Sequence, residues 1–554
     1  MKQIYKYIPT QWLLMGLFLW VMTAMAHPKI AAGLENLNPN SQIDVIVQFD
    51  RIPDAALHKK VTRMGGKLRL TLDIIQAGAY TIPAKRLEQL ARDTSVLRIS
   101  RDFRVKSSLE NAVPAINATA AWTANLTGTG VAIAVIDSGI SAHFDFSPEK
   151  GNPNAQRIVY QENFVPGQTT TADLLGHGTH VAGIAGGNGR FSVRDQYRGI
   201  APNVNLVNLR VLNQNGESSD SVVIAAISRA VALRTTHNIR VINLSLGRPV
   251  VQSYKTDPLC LAVEAAWKAG IVVVVAAGNE GRNNTQGTQG YGTVSSPGND
   301  PYVITVGAMK TADTPIRADD TVASYSSKGP TVVDRIIKPD LVAPGNRITS
   351  LASSNSVLDS FPFNQRNGAS GQKSYLVSSG TSMAAPMVSA AAAILLNKTP
   401  SLNPDQVKGI LMRTAYKLFP TATSVTDTAT GIVYTSYYDA FTIGAGYLDI
   451  GAALANNIPF TGTALSPVAS YDAVSKRIVP QCVSGTVCGS GSHWDSASLW
   501  NSASLFDTGS KWDSGSKWDS GSKWDSGSKW DSGTLWSTSA PSLGQLTTLV
   551  NGER

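Results

Sequence analysis

Between about residues 118 and 453, short apolar runs rich in β-branched residues alternate with segments of helical periodicity. Residues 131–136 and 271–277 are typical of the apolar runs, and residues 219–233 are typical of the helical segments. Strands that are apolar at every position are buried on both faces, and strand–helix alternation is typical of a parallel sheet. The sequence therefore predicts an α/β fold, with a parallel sheet and helices on both of its faces.

Four polar residues lie at positions where such a fold usually has its functional residues. Asp137, Ser245 and Asn279 each follow a predicted strand, and Ser382 opens an Ala-rich helix predicted over 381–396. In open parallel sheets, ligands bind beyond the carboxyl ends of the strands and near the helix starts that follow them. The pattern thus predicts a functional site that is built from these residues.

Three segments supply a carboxylate, an imidazole and a hydroxyl in that chain order. Asp137 lies in Ala-Val-Ile-Asp-Ser-Gly, His177 opens His-Gly-Thr-His-Val-Ala-Gly, and Ser382 lies in Ser-Gly-Thr-Ser-Met-Ala-Ala-Pro. These are the groups of a Ser-His-Asp triad. All three segments resemble the signatures of the subtilisin-like serine proteases (subtilases), which use the same order. The resemblance covers about residues 118–453 and extends more weakly over 41–106.

The resemblance implies a role for each of these residues. Ser382 would be the nucleophile, His177 its general base, and Asp137 the group that orients the imidazole. Asn279, in Ala-Ala-Gly-Asn-Glu-Gly, would form the oxyanion hole together with the backbone N–H of Ser382. The alternatives are ordinary structural roles: a turn for Asp137 and Asn279, and a helix N-cap for Ser382.

The resemblance also implies a substrate-binding segment at Ser245, Leu246 and Gly247, which would pair with the substrate backbone and form a wall of the S1 pocket. Residues 295–298 would lie near the base of that pocket. Neither segment contains Asp or Glu. We therefore expect a preference for apolar or medium-sized P1 residues over basic ones.

No sequence pattern assigns a metal site. His177 and His180 are separated by only two residues and no Glu follows His177, which differs from a zincin motif, so we interpret His180 as a packed structural residue. The resemblance implies no cofactor for the chemistry and is compatible with structural Ca²⁺. Asp145 and the loop 151–156 are candidate contributors to such a site, but no dense oxygen-ligand loop is present.

The chain contains three cysteines. Cys482 and Cys488 lie close together in a Gly/Ser/Val-rich segment and would close a small disulfide loop in an oxidising compartment; two unpaired thiols are the alternative. Cys260 precedes an apolar run and is expected to be a small buried hydrophobe.

The N-terminal part is predicted to contain two segments that precede the catalytic domain. Residues 1–26 combine Lys2 and Lys6, an apolar run and Ala-Met-Ala, which is typical of a secretory signal peptide. Residues 27–106 are predicted to form an α+β unit with strands at 43–49, 79–82 and 96–99 and a helix over 84–93. Its position resembles that of a subtilase propeptide, which implies folding assistance, intramolecular inhibition, and cleavage between about 104 and 118.

After the catalytic domain (118–453), residues 462–493 are predicted to be a linker with the cysteine pair, and residues 494–554 a tail with a six-residue repeat. The repeat places an aromatic residue in one phase: Trp494, Trp500, Phe506, Trp512, Trp518, Trp524, Trp530 and Trp536. We consider three interpretations of the tail: a module that binds carbohydrate or another surface partner, a β-structured appendage used in secretion, and a disordered tail removed in maturation.

Composition narrows the function further. The net charge is +9, but no Lys/Arg stripe is interleaved with aromatic residues, so nucleic-acid binding is not expected. No other stretch is long and apolar enough for a membrane span. We predict a secreted serine endopeptidase that acts on polypeptide substrates. The alternative is a non-catalytic surface-binding protein (adhesin) on a protease scaffold, against which the intact set of Asp137, His177, Asn279 and Ser382 argues.

Overall fold

A computed structural model describes residues 27–481, apart from 31–33, 35–36, 74–75, 102–107, 149–155, 286, 362–363, 428–429, 459, 461 and 473–476, together with residue 553. The chain divides into two compact units, residues 1–106 and 107–554. The predicted signal peptide, Cys482, Cys488 and the repeats lie outside the described residues, as does most of the loop 151–156.

In its described residues, the first unit is an antiparallel sheet with two α-helices. The strand order is β2-β3-β1-β4. The elements are β1 Gln42–Phe49, α1 Ala55–Arg63, β2 Lys67–Leu72, β3 Ala77–Pro83, α2 Leu87–Ala91 and β4 Val96–Arg101. Helix α1 and strand β2 were not predicted from the sequence. The helix expected over 84–93 is a short 3-10 turn, Ala84–Arg86, followed by α2.

Alternation along β1 builds the core of this unit. Val45, Val47 and Phe49 are buried on one face, where Leu57 and Val61 of α1 join the same apolar cluster. A fully buried side chain of this kind contributes about 1.5–3 kcal/mol relative to an exposed one. The first unit therefore has a core of its own.

The second unit contains an eight-stranded sheet. The order is β11-β10-β9-β8-β5-β7-β6, with β12 also paired to β10. All neighbours are parallel except β10 and β11. The strands are β5 Ala132–Asp137, β6 Ile158–Asn163, β7 Asn205–Arg210, β8 Ile239–Leu244, β9 Val272–Ala276, β10 Ile304–Lys310, β11 Thr321–Val322 and β12 Leu341–Pro344. The mainly parallel α/β sheet predicted from strand–helix alternation is confirmed.

Helices cover this sheet. Every side chain of β5 and β9 is buried, and neighbouring side chains of a strand point to opposite faces, so both faces are covered. Helix α8 packs against β8, β9 and β10, while α6 and α7 pack against each other. The helices are α3 Ser108–Ala115, α4 Ala118–Thr123, α5 His177–Gly186, α6 Asp220–Ala232, α7 Pro258–Lys268, α8 Thr381–Lys398, α9 Pro404–Thr414, α10 Ala440–Ile443 and α11 Ile450–Ala455.

Three small antiparallel sheets complete the second unit. Strand β15 lies between β13 and β14, and β16 pairs with β17 and β18 with β19. Their bounds are β13 Ile348–Leu351, β14 Gln365–Asn367, β15 Lys373–Ser378, β16 Ala422–Thr426, β17 Val433–Tyr437, β18 Val468–Asp472 and β19 Arg477–Gln481. None of the helices in the described ranges combines the length and apolar character that crossing a bilayer requires.

Candidate active site

Asp137 and His177 form a buried pair at the carboxyl edge of the sheet. Asp137 is the last residue of β5, and His177 is the first residue of α5. His177 Nδ1 lies 2.7 Å from Asp137 Oδ1, and the two side chains are 9% and 1% exposed. A hydrogen bond from Nδ1–H to this carboxylate leaves Nε2 as the basic nitrogen of a neutral imidazole.

One oxygen of Asp137 accepts all of the hydrogen bonds found for this carboxylate. Oδ1 receives the Ser138 N–H at 2.7 Å, in addition to His177. Oδ2 is buried and has no hydrogen-bond partner. The carboxylate is therefore fixed in orientation by its own backbone neighbour and aims one oxygen at the imidazole.

Asp173 is a further buried carboxylate that the sequence analysis missed. Its side chain accepts hydrogen bonds from Gly176 N and Thr179 N, each at 2.7 Å, and from the Ser138 hydroxyl at 2.8 Å. Burial raises the pKa of Asp173 despite these donors. Asp173 thus anchors the first turn of α5, where His177 lies, and connects it through Ser138 to the end of β5. The sequence gives no signal for this role, because the partners of Asp173 are two backbone N–H groups and a serine 35 residues away.

The electrostatics of His177 favour its charged form. Burial lowers the pKa of His177, but the charge of Asp137, the hydrogen bond to Asp137 and the charge of Asp173 outweigh burial. The net result is a pKa raised above the ordinary value. An imidazole in this environment is stabilised when it takes up a proton, which is what a general base requires.

His180 lies on the same helix in an environment of the opposite kind. It is fully buried, and its Nε2 lies 3.1 Å from the Ile348 carbonyl oxygen and 3.0 Å from that of Leu376. Burial, followed by the neighbouring His177, lowers the pKa of His180 to about 3. His180 is thus a neutral, packed residue that joins α5 to β13 and β15.

Ser382 lies in the first turn of α8 and is half-buried. Gly380 precedes this helix with a φ of 150°, a conformation that other residues rarely adopt. The Ser382 hydroxyl donates to the Ser245 carbonyl oxygen at 3.2 Å rather than to His177. Helix α8 packs against α5, the helix that begins with His177. Hydrogen bonds of catalytic serines are often long or misdirected in unliganded enzymes.

The side-chain amide of Asn279 is fixed through its oxygen, which accepts hydrogen bonds. Its Oδ1 accepts the Thr381 N–H at 2.9 Å and the Thr381 hydroxyl at 3.1 Å. A Cβ atom on Gly380 would come within 3.2 Å of Asn279 Nδ2, so the amide nitrogen lies beside the loop that leads into Ser382. With Oδ1 anchored, Nδ2 is free to donate to another acceptor.

The candidate substrate-binding segment follows β8 and contacts both Ser382 and the segment at 295–296. Ser245 Oγ donates to the Ser382 carbonyl at 2.9 Å. A Cβ on Gly247 would lie 2.9 Å from the Ser295 Cβ, so glycine allows these two segments to approach closely. Leu246 is buried, at 9% exposure, and contributes apolar surface. The predicted neighbours of the pocket are thus adjacent in space.

Asp145, considered from the sequence as a contributor to a calcium site, is fully buried. Both carboxylate oxygens already accept protein donors, Phe191 N at 2.8 Å and the Tyr375 hydroxyl at 2.7 Å. No cluster of three or more His, Cys, Asp or Glu side chains that would hold a metal occurs among residues the structure describes. Most of the loop 151–156 lies outside the described residues, so calcium binding at Asp145 and this loop stays a prediction. Cys260 is buried in α7, as predicted.

The chain is similar in sequence to known proteins. The subtilase family model matches residues 128–437. Serine protease AprX of Bacillus subtilis (strain 168) is 35% identical over 402 residues, 70% of this chain and 85% of the relative. Subtilisin E of the same strain is 31% identical over 414 residues, 73% of this chain and 93% of the relative. A cold-adapted subtilisin-like serine proteinase of known structure is 30% identical, covering 56% of this chain and 89% of its own, with a TM-score of 0.39.

A mainly parallel α/β sheet with polar side chains gathered at its carboxyl edge is the arrangement of an α/β enzyme. The family match over more than half of the chain places it more narrowly: the chain belongs to the subtilase family. It is a subtilisin-like serine endopeptidase, which confirms the predicted class of enzyme.

Proposed function

We propose that Ser382, His177 and Asp137 hydrolyse peptide bonds as a catalytic triad. The observation that carries this proposal is the buried hydrogen bond of 2.7 Å between His177 Nδ1 and Asp137 Oδ1, which leaves Nε2 as the base. The raised pKa of His177 supports proton uptake at this residue.

The proposed reaction has two steps, formation of an acyl-enzyme and its hydrolysis. His177 Nε2 takes the proton of Ser382 Oγ as that oxygen bonds to the substrate carbonyl carbon, and the negative charge develops on the carbonyl oxygen. His177 then gives the proton to the leaving amine as the C–N bond breaks, which forms an acyl-enzyme. Water, deprotonated by the same imidazole, releases the acid product and restores Ser382.

The oxyanion would be stabilised by two N–H donors. Asn279 Nδ2 is one, because its amide oxygen is anchored by Thr381 and its nitrogen lies beside Gly380. The backbone N–H of Ser382 is the other, since the first N–H groups of a helix lack intrahelical acceptors. No cofactor is needed for either step, because protein groups supply both the proton transfer and the charge stabilisation.

The substrate would bind as an extended strand along Ser245, Leu246 and Gly247, whose backbone offers the pairing groups. Leu246 would give the pocket an apolar wall, and the close approach of Gly247 to Ser295 would make the pocket narrow. No acidic side chain occurs in 245–247 or 295–298. We therefore infer a preference for apolar or medium-sized P1 residues.

Secretion and maturation complete the proposal. Residues 1–26 would direct export and be removed, and residues 27–106 would act as a propeptide that inhibits the enzyme until cleavage between about 104 and 118. Support comes from the independent core of the first unit and from its position before the catalytic unit in the chain.

The proposal is tested by the intact masses and activities of the purified wild type, Ser382→Ala and an exposed control, Ser401→Ala. We expect the wild type and Ser401→Ala to lose residues up to about 106. Ser382→Ala should keep residues 27–106, and its kcat on peptide substrates should be about 10⁴- to 10⁶-fold lower. Full peptidase activity in Ser382→Ala would refute Ser382 as the nucleophile. Identical trimming of all three proteins would assign maturation to another protease.

A further inference from the structure

Glu553 is a buried acidic residue of the catalytic unit that the protease chemistry does not use. It is 3% exposed, although it follows the long aromatic repeat segment in the sequence. Taking an ionised carboxylate out of water is costly unless charged partners and hydrogen bonds replace the lost solvation. The groups that surround Glu553 therefore show whether its carboxylate has a specific binding site.

The Glu553 side chain is bound through one oxygen by three donors. Oε1 lies 2.8 Å from a terminal guanidinium nitrogen of Arg282, accepts the Ser324 N–H at 2.7 Å, and also accepts the Ser324 hydroxyl. Oε2 is buried without a hydrogen-bond partner. Because charge-assisted hydrogen bonds are about twice as strong as neutral ones, this set recognises a carboxylate rather than a neutral amide.

The backbone of Glu553 is recognised as well. Its N–H donates to Asn346 Oδ1 and its carbonyl oxygen accepts from Asn346 Nδ2, both at 2.8 Å. The amide side chain of Asn346 thus forms hydrogen bonds with both the N–H and the carbonyl group of Glu553. A contact with side chain and main chain together is typical of peptide recognition and differs from a chance ion pair on the surface.

Arg282 is held in position by residues other than Glu553. Arg282 also pairs with Asp427 at 2.9 Å, donates to Ser324 Oγ at 2.7 Å, and stacks over the Tyr434 ring at 4.9 Å. These contacts fix the guanidinium plane between the hairpin of β16 and β17 and the turn after β11. The arginine is therefore positioned by groups other than the carboxylate that it binds.

We propose that Arg282, Ser324 and Asn346 form an anchoring site, the Glu553 site, which holds the segment around Glu553 non-covalently on the catalytic unit. The occupant is this segment of the same chain. The consequence is that the chain between residues 481 and 553, which contains the repeats, is held on the catalytic unit at both of its ends. A cut within the repeats would then leave the segment around Glu553 in place.

The experiment uses the full chain with Ser382→Ala and a recognition sequence for an unrelated site-specific protease inserted after Leu543. After cleavage and gel filtration at micromolar concentration, mass spectrometry shows whether the fragment 544–554 elutes with the large fragment. We expect retention in this parent protein and loss in Glu553→Gln, with fragment affinity reduced about 10- to 100-fold by loss of the charge-assisted bonds. A synthetic 544–554 peptide, titrated into protein stripped of its fragment, measures that ratio.

Arg229→Ala is the matched control. Arg229 also forms an ion pair with a glutamate, Glu162, but it lies on α6 and is not part of the Glu553 site. It should retain the fragment as the parent does, whereas Arg282→Ala should release it. Circular dichroism of each uncut protein shows that the variants are folded, and if Arg282→Ala fails to fold, the comparison of parent and Glu553→Gln decides alone. Release of the fragment from the parent, or equal retention by Glu553→Gln, would overturn the proposal.

Discussion

At the scale of single residues, backbone groups fix the polar side chains of the candidate site. The Ser138 N–H orients the Asp137 carboxylate, and the Thr381 N–H orients the Asn279 amide. Backbone donors of buried elements move little, so each side chain keeps one direction. This preorganisation matters because a donor that is already oriented needs no rearrangement when charge develops in the transition state.

Asn279→Ala should lower kcat about 10²- to 10³-fold with little change in KM, because the lost Nδ2 donor acts mainly in the transition state; this range includes measurements on subtilisin itself. The measurement is steady-state kinetics on a peptide substrate. Asn283→Ala, an exposed residue of the same loop, is the control and should stay within about twofold, as expected for a surface change away from the site. A change confined to KM in Asn279→Ala would contradict a role in oxyanion stabilisation.

The pH profile of kcat/KM should report on His177. In the proposed role of general base, His177 must be neutral, so activity rises as pH increases through its pKa. The raised pKa of His177 places this acid limb above about pH 6.5. Asp137→Asn removes the charge that raises this pKa, so burial then lowers it and the limb shifts to lower pH. We also expect kcat to fall about 10⁴-fold. An acid limb that does not shift in Asp137→Asn would count against the assignment.

At the scale of elements, the first turn of α5 depends on a residue outside the helix. Asp173 accepts from Gly176 N and Thr179 N and is fully buried, so Asp173→Asn leaves an N–H facing an amide NH₂ group. We expect a loss of about 1–3 kcal/mol in the free energy of unfolding, measured by urea denaturation. Because His177 opens this turn, kcat should fall with KM little changed.

Asp195→Asn, an exposed position in a surface turn, is the matched control for Asp173→Asn and should alter neither quantity. A loss of stability without any loss of kcat would make Asp173 a structural residue and not a positioning residue for His177.

The sequence predicted the elements whose signal is local. The apolar runs at β5 and β9 are buried on both faces, and the start of α8 at Thr381 falls where the Gly-Thr-Ser pattern placed it. Helix α1 was missed because only two of its nine residues, Leu57 and Val61, are buried apolar residues. Asp173 and Glu553 were missed for a different reason: their partners are distant in sequence or are backbone N–H groups, which leave no periodicity.

At the scale of the whole molecule, the two units have separate apolar cores. The described part of the first unit lies within residues 27–101, a length at which a domain folds alone but with a small margin of stability. A unit with its own core is suited to act as a folded inhibitor, since it keeps its shape after the chain is cut.

We therefore expect the isolated segment 27–106 to inhibit the matured enzyme. Half-inhibition should occur at or below about 1 µM, equivalent to about −8 kcal/mol of binding free energy, measured as residual hydrolysis of a peptide substrate. Val47→Asp places a charge in the core of the segment, where Val47 is fully buried, and should abolish both the fold and the inhibition. Its exposed counterpart, Arg92→Ala, should inhibit as the parent segment does. If the folded segment leaves activity unchanged at about 100 µM, the first unit is not an inhibitor, and its independent core serves folding or another purpose.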